Sequence, residues 1–184
     1  MPIRQLTYRL VDLDVNETSV DGLLASELLQ EAVADQDAEL ESSAVQLSVR
    51  LTKHNSIVQC DGRLSGHLVM PCQRCLGPAR VAIDEPIRTV FAPPTTVLND
   101  ENSLDAAASD DDDDLDYAHQ DGEVVDLWSV VREYIILSVP MLLLCKDECL
   151  GLCQACGTDR NTSVCNCRPE PMLSPFAALR DIKP

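Results

Sequence analysis

Eight of the nine cysteines stand in two separated groups: Cys72 and Cys75, with two residues between them, and Cys145, Cys149, Cys153, Cys156, Cys165 and Cys167 near the C-terminal end. The first residues show no basic stretch followed by an apolar run of the kind that directs secretion, so closely spaced thiols point to metal coordination more than to disulfides. Zinc takes about four ligands in tetrahedral geometry, and two thiolates separated by two residues reach one ion because the turn between them folds back. Cys153 and Cys156, with Cys165 and Cys167 shortly after, form one complete local set of the zinc-ribbon kind. Cys145 and Cys149 are then left to complete Cys72 and Cys75 across the fold. Spacing reveals pairs better than partners, and a grouping in which Cys149 replaces Cys167 stays open.

A C-x2-C pair also serves thiol exchange, but that chemistry wants the pair at a helix N-terminus after a strand, whereas Cys72 and Cys75 lie between apparent strands. Cys60, alone in an extended stretch, reads as a small core residue. His54, His67 and His119 lie apart from the cysteines and read as surface or turn residues. No Ser/His/Asp set, phosphate loop or HExxH motif is present, so nothing supports catalysis or a small-molecule substrate.

The elements that must position these thiols follow from periodicity. Ile3 to Val15 is extended in character, and Asn16 to Ser19 breaks it. Asp21 is a candidate cap for a helix whose apolar residues Leu23, Leu24, Leu28, Leu29 and Ala32 recur at helical spacing through Val33. After the acid-rich stretch Asp35 to Glu41, the residues Val45, Leu47, Val49 and Leu51 alternate with polar ones as a half-buried strand does. His54-Asn55-Ser56 turns the chain into Ile57 to Val69, where Gly62 and Gly66 suggest bends or bulges. That long hairpin runs into the knuckle Met70 to Pro78. Ala79 to Phe91 alternates again, with Pro86 arguing for an edge position or a bulge. Asp126 caps a helix through Leu137 that Pro140 ends, and Phe176 to Ile182 forms a short closing turn or helix. The expected fold is α+β: an antiparallel β-sheet or partly open barrel with two or three packed helices and a zinc-ribbon-like C-terminal segment. Residues 1–92 form the β-rich region with one helix, 93–122 an acidic disordered insertion, and 123–184 the helix and cysteine-rich segment of the same globular domain.

The chain carries 31 acids against 14 Lys and Arg, a net charge of −17. Twelve of the acids, and no Lys or Arg, fall between Asn99 and Asp126. Such a composition opposes binding that rests on phosphate neutralisation, and six aromatic residues give no evident stacking platform for single-stranded RNA. The longest apolar stretch, Tyr134 to Leu144, is about half of what a bilayer requires and reads as a buried helix end. A cytoplasmic protein without a membrane span is the expectation.

The order of motifs resembles a known family. Cys72-Gln-Arg-Cys-Leu-Gly-Pro78 after a long hairpin, the helix Asp126 to Pro140, Cys149-Leu-Gly-Leu-Cys-Gln-Ala-Cys-Gly157 with Asn161, Cys165-Asn-Cys167 and the closing Ser174 to Lys183 look like the YceD family of large ribosomal RNA subunit accumulation proteins. The resemblance implies a non-enzymatic factor for accumulation of 23S ribosomal RNA and assembly of the large ribosomal subunit. The acidic stretch Asp100 to Asp121 departs from the family pattern. With so negative a chain, the expected partner is a basic ribosomal protein or pre-ribosomal particle. Direct RNA contact would fall to a basic patch near Arg63, Arg74, Arg80 and Arg88.

Overall fold

The computed structural model describes residues 2–14, 17–34, 40–93, 116–119 (backbone only) and 123–167. Its centre is a five-stranded sheet in the order β2-β3-β4-β5-β6, comprising β2 (Thr18–Leu23), β3 (Ser42–His54), β4 (Ile57–Pro71), β5 (Pro78–Ala92) and β6 (Asp116–His119). A separate two-stranded sheet pairs β1 (Thr7–Arg9) with β7 (Val124–Asp126). The two α-helices among the described residues are α1 (Ser26–Val33) and α2 (Leu127–Ser138). This is the α+β architecture the sequence predicts, with sheets that do not close into a barrel. The one departure from antiparallel pairing is β6, which runs parallel to β5 along Thr89–Ala92. It lies in the segment expected to be a disordered insertion; 94–115 and 120–122 lie outside the described residues.

The long hairpin forms as its alternation predicts. Val45, Leu47, Val49 and Leu51 of β3 are buried and their neighbours face solvent. Asn55, at φ 57°, makes the tight reversal into β4. The register of β3 on β4 runs unbroken from Ser42 opposite Val69 to His54 opposite Ile57, so Gly62 and Gly66 are not bulges. Both are sites of close backbone approach: a Cβ on Gly62 would lie 2.2 Å from the Ser48 carbonyl oxygen, and one on Gly66 2.0 Å from that of Ala44. Pro86 likewise interrupts no register. It occupies an edge, because β6 covers only Thr89–Ala92.

Near the N-terminus the sequence expectation needs correction. The extended stretch is only Thr7–Arg9 and is followed by a 3-10 turn, Leu10–Asp12. Asp21 caps no helix: it sits in β2 and accepts hydrogen bonds from Gln46 and Ser48 on β3. Pairing with an adjacent strand overrides the helical spacing of Leu23 and Leu24, and α1 begins only at Ser26. The second helix begins as read, with the Asp126 carboxylate accepting from the Trp128 N–H at 3.1 Å. Its Trp128 indole donates to Glu31 of α1. Leu127, Val131 and Ile135 are buried in the core that α2 shares with β5 and β1, which brings the chain after Ser138 back over the end of β4. The apolar stretch Tyr134 to Leu144, expected to be a buried helix end, is not buried throughout, since Leu137 at the end of α2 and Met141 and Leu142 beyond it are exposed. The expected closing element at Phe176–Ile182 and most of the acid-rich stretch at 35–41 lie outside the described residues.

Candidate metal centres

The turn between β4 and β5 is built by the chain itself. The Cys72 N–H donates to the Gly77 carbonyl at 2.8 Å and the Leu76 N–H to the Cys72 carbonyl at 2.9 Å, with Leu76 at φ 61°. This closes a loop with both sulfurs on one side, and the Arg74 N–H points at the Cys72 sulfur, 3.4 Å away. The loop after α2 is clamped against it: Gln73 N–H donates to the Leu143 carbonyl at 3.0 Å, and the Arg74 guanidinium donates to the Cys149 carbonyl at 3.0 Å. As a result the sulfurs of Cys72, Cys75, Cys145 and Cys149 all lie within 4.8 Å of one another. Cys72 and Cys149 are 3.8 Å apart and Cys75 and Cys145 3.6 Å. A zinc–sulfur bond of about 2.3 Å places the corners of a tetrahedron about 3.8 Å apart. The donor set therefore fits a tetrahedral, thiolate-preferring ion, and Cys72, Cys75 and Cys149 are buried around it.

Cys153, Cys156, Cys165 and Cys167 form the second set, again with all four sulfurs within 4.8 Å. Its turn repeats the first. The Cys153 N–H donates to the Thr158 carbonyl at 2.8 Å, the Gly157 N–H to the Cys153 carbonyl at 2.8 Å, and Gly157 has φ 73°. This set is shallower, with Cys156 and Cys167 exposed. The grouping across the fold is thus the one in which Cys149 joins Cys72, and the alternative with Cys149 in place of Cys167 does not form.

Without a cation the thiols of each set divide. Burial raises the Cys72 thiol, but backbone N–H groups of Arg74, Cys75 and Cys145 outweigh it and bring it down to about 6. Desolvation, then the thiols of Cys75, Cys149 and Cys72, push Cys145 up to about 12. In the second set the Thr158 hydroxyl and then its backbone N–H lower Cys156 to about 6, while Cys156 is the main cause of Cys167 rising to about 12. Four negative sulfurs cannot share so small a space alone, and a bound dication removes that restriction.

The remaining sequence candidates fall elsewhere. Cys60 is fully buried in β4, as a core residue would be. Neither His54 nor His67 joins a metal-binding group, and the side chain of His119 lies outside the described residues. Of the four arginines, Arg63 pairs with Asp84 and Arg74 is held on Cys149; Arg80 and Arg88 are eight residues apart along β5, about 26 Å at strand rise, and Arg88 stands two residues along β5 from Pro86, the cross-strand partner of Arg63. Two supporting residues, Thr158 and Asn161, carry no ligand chemistry of their own; Asn161 stands among the motif residues that carry the family resemblance, and Thr158 has only its place just after a Cys-x2-Cys-Gly turn as a sequence signal.

Among the described residues no helix is long and apolar enough to cross a membrane. Comparison with known proteins finds a match to the family model described as large ribosomal RNA subunit accumulation protein YceD, over residues 60–183. A chloroplastic YceD homolog of Zea mays, named a large ribosomal RNA subunit accumulation protein, is 28% identical over 156 residues, covering 73% of this chain and 53% of its own length. Uncharacterized proteins of Mycobacterium bovis and Mycobacterium tuberculosis are each 24% identical over 117 residues, covering 64% of this chain and 52% of theirs. The chain thus spans about half the length of these curated relatives. No solved structure matches. The matched region contains both cysteine sets, the knuckle with most of β4 and all of β5 beside it, and α2, and the chain belongs to the YceD family.

Proposed function

We propose that this chain is a non-catalytic, cytoplasmic assembly factor that supports accumulation of 23S ribosomal RNA and the large ribosomal subunit, with one structural zinc ion in each cysteine set. The observation that carries this reading is the pair of tetrathiol sets inside a segment matching a family named for that role. Cys72, Cys75, Cys145 and Cys149 tie the sheet to the chain leaving α2, and Cys153, Cys156, Cys165 and Cys167 order the segment beyond. Both are supports for a binding surface.

The surface we assign lies beside the first set. A groove of about 530 Å³ is lined by Met70, Leu76, Ile136, Val139, Met141 and Leu143 among others. Leu76 is 65% exposed although it holds a left-handed conformation that disfavours any side chain, and Met141 is fully exposed. Exposed Glu133 lies one turn before Leu137, and exposed Asp147 and Glu148 lie between Cys145 and Cys149. With a net charge of −17, the matching occupant is a cationic amphipathic segment of a large-subunit ribosomal protein.

Depletion of the protein from its source cells, followed by sucrose-gradient sedimentation, should lower large subunits relative to small ones; an unchanged profile would refute the assembly role. Affinity purification should retain a basic ribosomal protein, and Leu76→Asp with Met141→Asp should release it while metal content stays the same. Salt-sensitive capture of RNA with no ribosomal protein would overturn the partner assignment.

A further inference from the structure

Asn161 belongs to the loop closed by the second cysteine set, yet its side chain acts on the first. It lies between Cys156 and Cys165, and its Nδ2 donates to the Cys149 sulfur at 3.3 Å. Its Oδ1 accepts from the Leu150 N–H at 2.9 Å, so the amide grips the cysteine and the residue after it. The amide is itself fixed. The Asp159 carboxylate accepts from Asn161 Nδ2 at 2.7 Å and from the Asn161 N–H at 2.9 Å. The Thr162 hydroxyl and the Ser163 N–H both donate to the Asp159 carbonyl, and the Arg160 N–H donates to the Gly151 carbonyl. Gly151 leads back to the first knuckle, because the next residue, Leu152, donates its N–H to the Arg74 carbonyl at 3.1 Å.

We propose that Asn161 couples the two metal centres: loading of the second set orders the loop that holds Asn161 on Cys149, and so tightens binding at the first. An amide N–H directed at a metal-bound thiolate disperses its charge and fixes its rotamer, as outer-shell partners of metal ligands do. The path is continuous from Cys156 and Cys165 through Asn161 to Cys149, and it involves no shared ligand. Coupling of binding free energies is reciprocal, so occupation of the first set strengthens the second by the same factor. The inference rests on the zinc reading above and adds that the two sites are not independent.

Its test is competition of zinc between the purified full chain and a chromophoric chelator, with cobalt absorption as the probe of thiolate coordination. Each set is measured alone by removing the other: Cys153→Ser/Cys156→Ser reports the first, Cys72→Ser/Cys75→Ser the second. Asn161→Ala in the otherwise intact chain should weaken the first set by about 10- to 100-fold. Asn161→Asp keeps an acceptor for Leu150 but loses the donor to sulfur, and should weaken it at least as much. The Cys153→Ser/Cys156→Ser chain should show the weakened first set already, with Asn161→Ala adding nothing further. First-set affinity unchanged in both Asn161 variants, or effects of Asn161→Ala and Cys153→Ser/Cys156→Ser that multiply as independent ones, would overturn the coupling. A wild-type chain that binds two ions independently refutes the coupling alone; one that binds none refutes the zinc reading with it.

Discussion

Leu76 and Gly157 occupy the same place in two turns of one geometry, and only one of them is a glycine. A side chain in the left-handed region costs about 1–2 kcal/mol, and the exposed Leu76 recovers little of that by burial within this chain. Leu76→Gly should therefore leave stability unchanged or raise it by up to about 1 kcal/mol in urea unfolding, while weakening capture of the proposed ribosomal partner. A clear loss of stability would show that Leu76 is a structural residue. Cys60 makes a contrasting residue-level case. Burial, with Asp61 adding to it, pushes its thiol from the ordinary 9 up to about 12. A raised folded-state value contributes stability that is complete below pH 9 and is lost as pH climbs toward 12. Cys60→Val should flatten that alkaline loss, measured by urea unfolding across the same interval. At this scale the cysteines that come together were legible as candidates, because short thiol spacing is local information. The roles of Asn161 and Thr158 were not, although Asn161 stands among the motif residues of the resemblance, since ordinary polar residues acquire a role only when the loop geometry aims them.

At the scale of elements, alternation located β3, β4 and β5, and Asp126 located α2, because each signal lies within the element itself. The helix expected from Asp21 failed for a physical reason. Leu23, Leu24, Leu28 and Leu29 satisfy a helical period, but Thr18–Leu23 sits beside β3 and completes its backbone hydrogen bonds. β6 was illegible because a parallel partner reached across a long connection leaves no local pattern. The glycines of β4 are read correctly only from the neighbouring strand. Gly66→Ala forces a Cβ onto the Ala44 carbonyl oxygen, with no flexible side chain to yield, and should destabilise the protein by at least about 2 kcal/mol in thermal or urea unfolding. A near-neutral effect would mean that β3 and β4 do not approach as closely as described.

At the scale of the whole molecule, two clamps divide the work. The sheet and helices share an apolar core, whereas the described part of the loop after α2 has few buried apolar side chains beyond Leu143 and the cysteines. On the proposed zinc reading its order would depend on the ions, and folding of that segment and metal binding would be one free-energy change. Net charge was legible from composition alone, but the partners of individual charges were not: Arg63 pairs with Asp84 and Arg74 is held on the Cys149 carbonyl. The central claim is that the two cysteine sets are separate tetrathiolate zinc centres, and native mass spectrometry of the purified chain tests it most directly. The wild type should carry two zinc ions, Cys72→Ser/Cys75→Ser one and Cys153→Ser/Cys156→Ser one. A metal-free chain, or a wild type with a single ion that either double substitution removes, would contradict it.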